Sequence, residues 1–116
     1  MKLRNGKSYN TFQWEKTIHL AQLKASNSLI IPIRVNNEII YDGICGNSYI
    51  IVKNGFKNKI IKDGLEKGYL VEEYGKIISK FFLQTQSYQK NLVFFKSIEK
   101  ELRKNKINCS TISYID

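Results

Sequence analysis

The sequence predicts an α+β domain: a small curled antiparallel sheet of about five strands, flanked by an N-terminal helix and a long C-terminal amphipathic helix. Apolar residues with helical spacing occur near both ends, and Asn and Gly turn signals recur between them. Apolar residues make up 42% of the 116 residues, which suffices for one buried core. We therefore expect a flexible basic arm over residues 1–9 and a single domain over residues 10–116.

The first helix is predicted over residues 11–25. The short polar side chain of Asn10 or Thr11 is suited to accept a hydrogen bond from a free amide of the first turn. Four apolar positions fall on one face of this helix: Trp14, Ile18, Ala21 and Ala25. Leu20 and Leu23 lie outside that face, so the helix is either buried on two sides or shorter than this range.

The clearest hairpin joins Leu29–Val35 to Glu38–Tyr41 through Asn36-Asn37. Asparagine tolerates the positive φ angles that tight hairpin turns require. Pro32 has no amide hydrogen to donate to a neighbouring strand. The first strand therefore lies at an edge of the sheet or begins near this proline.

Three further segments have the composition and alternation of strands: Ser48–Lys53, Tyr69–Glu73 and Lys76–Thr85. The turn signal Tyr74-Gly75 separates the last two of them. Residues 57–67 fit a strand and a short helix equally well, and both alternatives stay open on the sequence alone.

Residues 87–105 give the strongest helix signal. Their apolar stripe consists of Tyr88, Leu92, Phe95, Ile98 and Leu102. We expect this stripe to pack against strand residues such as Ile31, Ile33, Ile51 and Phe82. Alternation over Ile107–Ile115 then predicts a last strand.

Charge is the property of the sequence that bears most on function. The chain carries 19 Lys and Arg against 10 Asp and Glu, a net charge of +9. Residues 11–52 are neutral, whereas residues 1–10 and 53–68 carry +3 each and residues 76–108 carry +6. Only three of the basic residues are arginine, the residue that contacts bases and phosphates bidentately. The composition therefore favours electrostatic contact with a polyanion over sequence-specific recognition.

Three basic segments are candidate polyanion-binding surfaces. The arm contributes Lys2, Arg4 and Lys7, the middle segment Lys53, Phe56, Lys57, Lys59 and Lys62, and the C-terminal helix Lys96, Lys100, Arg103 and Lys104. Phe56 follows a glycine turn, as in loops that stack a base on an aromatic ring and contact the backbone through lysines. The alternative is an ordinary solvated surface, since cations in a last helical turn also favour the negative end of the helix dipole.

The opening stretch Leu3-Arg4-Asn5-Gly6-Lys7-Ser8-Tyr9 resembles the short basic openings of small proteins of giant (nucleocytoplasmic large) DNA viruses. Those openings carry Arg-Ser-Gly followed by Lys or Arg and then a hydrophobic residue or Tyr, so Asn5 stands where serine is usual. The Ile-, Asn- and Lys-rich composition is similar to that of AT-rich members of the group. The resemblance implies a viral origin, among virion and nucleic-acid-associated proteins, and assigns no role to any residue.

The sequence offers little for catalysis. Cys45 and Cys109 are too few and too widely spaced for a small disulfide scaffold, so we expect free thiols. His19 is the only histidine, which disfavours a Cys–His pair and a metal site, and we expect no cofactor. A small metal-dependent nuclease, with Lys62 or Lys67 assisting, is the third alternative. Its carboxylates would come from Asp42, Asp63, Glu66, Glu72 and Glu73.

We predict a small basic, non-enzymatic binding or structural protein that contacts nucleic acid or an acidic protein surface. The alternative is a protein–protein role, as a minor virion component or in a homo-oligomer, with Phe94 and exposed tyrosines at the interface. No apolar run approaches the roughly 20 residues of a membrane span, and the N-terminus lacks the apolar core of a secretion signal. We therefore expect no membrane insertion, no secretion, and a location in the cytoplasm or nucleus of a host or in a virion.

Overall fold

The computed structural model describes residues 12–28, 33–35, 38–40, 45–53, 58–85 and 87–115. The predicted basic arm lies outside these ranges. Within them the elements are, in chain order, α1 (Trp14–Ser26), β1 (Ile33–Val35), β2 (Glu38–Ile40), β3 (Gly46–Val52), α2 (Lys59–Lys67), β4 (Leu70–Glu73), β5 (Lys76–Ser79), α3 (Tyr88–Lys104) and β6 (Cys109–Ile115). The predicted α+β class is confirmed.

The sheet differs from the prediction in how its strands are grouped. Four strands form an antiparallel sheet in the order β4-β5-β3-β6, and β1 and β2 form a separate two-stranded hairpin. The pairing of Val35 with Glu38 confirms the predicted hairpin, with shorter strands. Its three residue pairs do not extend into the larger sheet, so the expectation of one sheet of about five strands is only roughly met.

The central strand β3 pairs with β6 over all seven of its residues and buries alternate side chains. Ile50 and Val52 are buried beneath α3, whereas Ile51 points to the opposite face of the sheet and is half-buried. The predicted contact of Ile51 with the long helix is therefore wrong, because a shift of one residue along a strand changes the face. Ile31 and the side chain of Ile33 lie outside the described part of the chain.

β5 ends at Ser79, six residues before the predicted end of that strand. Phe81 then packs against the core, where it stacks on Phe95 with 5.7 Å between ring centroids and meets Phe94 edge-on at 6.0 Å. Phe82 is 65% exposed, so its predicted contact with the long helix is also wrong. The inward positions Ile77, Ser79, Phe81 and Leu83 still alternate with exposed residues from Lys80 onward, so the sequence pattern has the right period and the prediction took the wrong face.

The turn between β4 and β5 is Tyr74-Gly75, as the sequence indicates. Both residues have positive φ angles, 54° and 78°. Positive φ at both central positions of a two-residue loop is the property of the type I′ turn, whose twist suits antiparallel strands.

α1 begins at Trp14 with Gln13 in the cap position, and no side chain caps it. The predicted cap by Asn10 or Thr11 is therefore wrong. The predicted apolar face is confirmed, since three of its residues are buried and Ile18 packs against the core. Leu20 and Leu23 are about half exposed, so a second buried face is excluded for a helix that extends to Ser26.

α2 settles the ambiguous segment as a helix. The Asn58 side-chain oxygen accepts hydrogen bonds from the amides of Ile60 and Ile61, and Gly68 ends the helix at a φ of 85°. An N-cap oxygen and a left-handed glycine are strong local helix boundaries.

α3 confirms the predicted long helix and is capped by Ser87, whose hydroxyl accepts from the Lys90 amide at 3.2 Å. Its buried residues are Asn91, Phe94, Phe95, Ile98 and Leu102. Tyr88 and Leu92 of the predicted stripe are only half-buried. Phe94 is completely buried, so the proposed interface role of its ring is wrong.

Asn91 is a polar residue inside the core that joins three segments. Its side-chain nitrogen lies 3.1 Å from the carbonyl oxygens of Gly46, Thr85 and Ser87. Its side-chain oxygen is buried and has no hydrogen-bond partner among the described residues. Asn91 therefore ties the first turn of α3 to the start of β3 and to the segment before the helix.

Candidate nucleic-acid interface

An open groove of about 1170 Å³ lies between the N-terminal half of α1 and one face of α2. Its aromatic lining consists of Phe12, Trp14 and Tyr69, and its charged or titratable lining of Glu15, Lys16, His19, Lys59, Asp63 and Lys67. Gln13 and Ile60 complete the lining among the described residues. Its volume is close to the upper end of the roughly 300–1,000 Å³ of ordinary small-molecule pockets.

Trp14 anchors the floor of this groove. Its ring is buried, and its indole Nε1 donates a hydrogen bond of 3.0 Å to the carbonyl oxygen of Ile60, 46 residues further along the chain. Because an unpaired buried indole N–H is costly, this bond fixes both the ring and the position of α2 relative to α1.

Phe12 and Tyr69 offer half-buried rings that pack on Trp14. Phe12 meets Trp14 edge-on, with 5.0 Å between ring centroids and 82° between planes. Tyr69 is stacked on Trp14 at 5.8 Å and 18°. Since both rings are only partly buried, each keeps some surface open to the groove while its contact with Trp14 holds it in place.

Gly64 allows α2 to approach Trp14 closely. A Cβ atom at this position would lie 2.9 Å from the Trp14 ring and 2.9 Å from Leu70 Cδ1. Both distances are shorter than carbon–carbon contacts allow. Glycine normally weakens a helix, but at position 64 it lets α2, one wall of the groove, lie directly against Trp14 on the floor.

The rim of the groove is positively charged overall, with three lysines facing two carboxylates. Lys16 and Lys59 are exposed and have no ion-pair partner within the described residues. Lys67 lies 3.3 Å from Asp63, one helical turn away, and both side chains are more than a third exposed. Such surface pairs are weak, so Lys67 stays available to a ligand.

Of the predicted middle segment, the structure places only Lys59 in this groove. Lys53 and Lys62 are exposed but do not line it. Phe56 and Lys57 lie outside the described residues, as do Lys2, Arg4 and Lys7 of the arm. The roles assigned to these five residues stay predictions.

The basic residues predicted on α3 are all exposed, but carboxylates of the same helix engage three of them. Lys96 and Arg103 lie 3.6 and 3.1 Å from Glu99, and Lys104 lies 3.3 Å from Glu101. Lys100 has no ion pair within the described residues. The four basic side chains, here called the α3 ridge, are therefore partly neutralised by their own helix.

Glu99 and Arg103 also fasten α3 to β6. Glu99 Oε1 accepts a hydrogen bond of 2.8 Å from the Thr111 amide, and Arg103 Nη2 donates one of 2.6 Å to the Cys109 carbonyl. Arg103 thus has a structural task, which reduces its availability to a polyanion. We call these two residues and their contacts the α3–β6 clamp.

The environment of Glu99 stabilises its charged form. Burial raises the pKa of the carboxyl, but Thr111, Lys96 and Arg103 together lower it by more, so the net pKa lies below the ordinary value of 4.5. The Thr111 amide donates a hydrogen bond to Glu99. The buried Thr111 hydroxyl has no hydrogen-bond partner among the described residues. The clamp therefore depends on an ionised carboxylate.

The two cysteines are free thiols in different environments. Cys45 is exposed and its backbone bridges to Ser87, whereas Cys109 is buried. Burial, reinforced by Glu99, raises the pKa of the Cys109 thiol to about 11. His19 lines the groove, in which no cysteine is found among the described lining residues.

The carboxylates of the nuclease hypothesis are not gathered into one site where they are described. Asp63 forms an ion pair with Lys67. The side chains of Glu66, Glu72 and Glu73 are exposed, and Asp42 lies outside the described residues. No group of three or more His, Cys, Asp or Glu side chains within the described ranges is placed to hold a metal ion.

Sequence reasoning missed most of this groove. It assigned Trp14 to the core, which is correct, but it gave no role to Phe12, Tyr69 or Lys16. A local signal exists at Tyr69, which directly follows the left-handed Gly68 at the end of α2. The juxtaposition of two segments 46 residues apart has no local signal.

Comparison with family models, with curated proteins and with solved structures finds no match to this chain. Among the described residues, no helix is both long and apolar enough to span a bilayer. The function is therefore inferred from the geometry of the chain itself.

Proposed function

We propose that the protein binds single-stranded nucleic acid in the groove between α1 and α2. The observation that carries this proposal is the placement of two half-buried rings, Phe12 and Tyr69, beside the unpaired cations of Lys16 and Lys59. Proteins that bind single strands without sequence preference combine such stacking surfaces with a positive groove along the backbone.

Stacking would supply much of the affinity. A base stacked on an aromatic side chain contributes roughly 1–3 kcal/mol. Contact with Trp14 already restrains the rings of Phe12 and Tyr69, so little side-chain entropy is lost when a base arrives.

The lysines would contact phosphates without reading sequence. If Lys16, Lys59 and Lys67 each contact one phosphate, the logarithm of the binding constant should fall with the logarithm of salt concentration with a slope of about −2. Lysine acts as a point charge, so we expect weak base preference.

The test uses Trp14 as an internal reporter, because it is the only tryptophan and lies on the groove floor. A mixed-sequence single-stranded oligonucleotide is titrated at low and moderate salt while tryptophan fluorescence and the anisotropy of a labelled strand are recorded. We expect both signals to change together, and affinity to fall at the higher salt.

Matched variants locate the interface. Tyr69→Leu keeps an apolar side chain but removes the stacking ring, and we expect affinity to fall at least about fivefold. Tyr74→Leu makes the same change on the fully exposed tyrosine of the β4–β5 turn and should leave affinity unchanged. Lys59→Glu and Lys100→Glu are the corresponding charge-reversal variants: the first lies in the groove and the second, on the α3 ridge, is its control.

Undetectable or salt-independent binding would contradict the proposal. A larger loss from Lys100→Glu than from Lys59→Glu would move the interface from the groove to the α3 ridge. Circular dichroism of each variant separates loss of binding from loss of folding.

A further inference from the structure

β6 lies at one end of the four-stranded sheet, with β3 on one side and no described strand on the other. The Lys53 amide donates to the Asn108 carbonyl at 2.7 Å, which fixes the phase of hydrogen bonding between β3 and β6. Every second residue from Asn108 onward directs its backbone groups at β3. The residues that direct theirs away from the sheet are Cys109, Thr111, Ser113 and Ile115.

The first part of this outer side is occupied by the α3–β6 clamp. Arg103 holds the Cys109 carbonyl and Glu99 holds the Thr111 amide, as the phase requires. Beyond the clamp, the outward groups are the Thr111 carbonyl, the Ser113 amide and carbonyl, and the Ile115 amide and carbonyl. None of them has a hydrogen-bond partner among the described residues, and we call residues 111–115 the free edge.

The free edge carries exposed apolar side chains and no charge. Ile112 and Tyr114, which are 39% and 48% exposed, lie on the sheet face away from α3, and Ile115 is 55% exposed. Proteins usually protect sheet edges with charged side chains, proline or a covering segment. Here the clamp protects only the start of the strand.

We propose that the free edge pairs with the free edge of a second copy of this chain. The two β6 strands run antiparallel about a twofold axis at Ser113, whose amide and carbonyl exchange hydrogen bonds with the same groups of the other copy. The Thr111 carbonyl of each copy accepts from the Ile115 amide of the other. Glu99 sets this register, because a Thr111 amide already held by a carboxylate cannot extend the pairing further.

The side chains match in this register. Ile112 lies opposite Tyr114 of the second copy, and Tyr114 opposite Ile112, at positions of an antiparallel pair where side chains approach most closely. Aromatic and β-branched residues are favourable partners across strands. The pairing therefore covers the exposed apolar residues of the free edge with each other, which a strand of unrelated sequence would not ensure.

The helices leave room for this joint sheet of eight strands. α3 packs on both β3 and β6. With neighbouring strands about 4.8 Å apart, the two α3 helices would lie about 10 Å apart, which is close to an ordinary helix-packing distance.

Charge makes the association salt-dependent in a characteristic direction. At each edge two cations, Lys96 and Arg103, share the single carboxylate of Glu99. These clusters add to the repulsion between two copies that each carry a net charge of +9, so salt strengthens the dimer by screening. Nucleic-acid binding has the opposite salt dependence, so the two proposals stand or fall separately.

The first test is sedimentation equilibrium of the full chain over a wide concentration range, at about 50 and about 500 mM NaCl. We expect a reversible dimer that is tighter at the higher salt. Ser113→Pro removes an amide hydrogen that β3 does not use, so the fold should persist while the dissociation constant rises at least about tenfold. Ser113→Ala is the matched control: it also loses the contact with Ser48 but keeps the amide, and should change the constant less than about threefold.

The second test fixes the register by crosslinking. In a Cys45→Ser background, oxidised glutathione should convert Ser113→Cys into a disulfide-linked dimer and release two reduced glutathiones. The facing Cα atoms of a hydrogen-bonded pair are about 5.5 Å apart, within the disulfide range. Ser110→Cys on the same strand lies far from the twofold axis and should not crosslink with itself.

Three results would overturn this proposal. The first is a monomer at every concentration and salt, which would leave the free edge to a strand from another protein. The second is a dimer that Ser113→Pro and Ser113→Ala weaken equally. The third is equal crosslinking of Ser110→Cys and Ser113→Cys.

Discussion

The two ends of α3 are attached to the sheet by opposite kinds of chemistry. Near its start, the neutral amide of Asn91 is completely buried and bonds three backbone carbonyls. Near its end, the charged pair of Glu99 and Arg103 holds the backbone of β6, with the Arg103 side chain 53% exposed to solvent.

The two attachments therefore differ in how strongly they depend on pH and salt. A buried neutral hydrogen bond is insensitive to pH and salt, and it is costly to leave unmade. A partly exposed ionic contact is screened by salt and depends on the protonation state of Glu99. The attachment at the start of α3 is therefore independent of pH and salt, whereas the strength of the attachment beside the free edge changes with both.

The largest expected effect comes from replacing the neutral anchor with a charged one. Asn91→Asp buries a carboxylate against three carbonyl oxygens and should reduce the free energy of unfolding by about 3 kcal/mol or more. Urea denaturation measures the loss. The matched control Gln84→Glu makes the same amide-to-acid change on an exposed residue of the preceding segment and should change stability by less than about 0.5 kcal/mol.

Low pH sharpens this prediction. Once protonated, the carboxyl group introduced by Asn91→Asp carries no charge and can donate one hydrogen bond, so this variant should regain part of its stability in acid. A variant that loses less than the exposed control would show that Asn91 is not the anchor of this end.

Removing one member of the charged attachment should have a smaller effect. Arg103→Ala deletes the bonds to Cys109 and Glu99, but solvent screens this exposed side chain, so we expect a loss of about 1 kcal/mol. Lys100→Ala, one turn away and without an ion pair in the described residues, should cost less than about 0.5 kcal/mol.

The buried thiol gives a local measure of the same change. In a Cys45→Ser background, labelling of Cys109 by iodoacetamide should accelerate in Arg103→Ala and not in Lys100→Ala. Equal labelling rates in the two variants would argue against the α3–β6 clamp.

The smallest effect concerns pH. Because the pKa of Glu99 is lower in the folded protein than in the unfolded chain, its contribution to stability is complete above the unfolded value and is lost as pH falls through the folded one. Between neutral pH and pH of about 3, the native chain should therefore lose more stability than Glu99→Gln. Parallel urea titrations of the two proteins remove the contributions of all other carboxylates, and identical pH profiles would contradict the assignment.

The sequence predicts those parts of the fold that local chemistry determines. The long helix with Phe95, Ile98 and Leu102 on its buried face, the turn at Tyr74-Gly75 and the last strand β6 depend on neighbouring residues, and the structure contains all three. The buried face of β3 differs from the prediction. Alternation shows that side chains point in turn to opposite faces, but it does not show which face is buried.

The groove and the free edge depend on tertiary placement. Trp14 and Ile60 meet across 46 residues, and no local pattern announces the meeting. The lysine count located neither region, because it does not show which cations lie beside carboxylates or aromatic rings; carboxylates of the same helix engage three of the four basic residues of the α3 ridge. Two of the described lysines without an ion pair, Lys16 and Lys59, line the groove together with the aromatic rings.

Gly64 determines the spacing between the two sides of the groove. Its missing side chain sets how closely α2 rests on Trp14 and Leu70, from behind the surface that a ligand would touch. A single added methyl group must move the Trp14 ring or shift the helix that carries Lys59 and Lys67. If the groove binds a ligand as proposed, a substitution at Gly64 would change the spacing between the rings and the cations, and with it the affinity, without altering any residue that lines the groove.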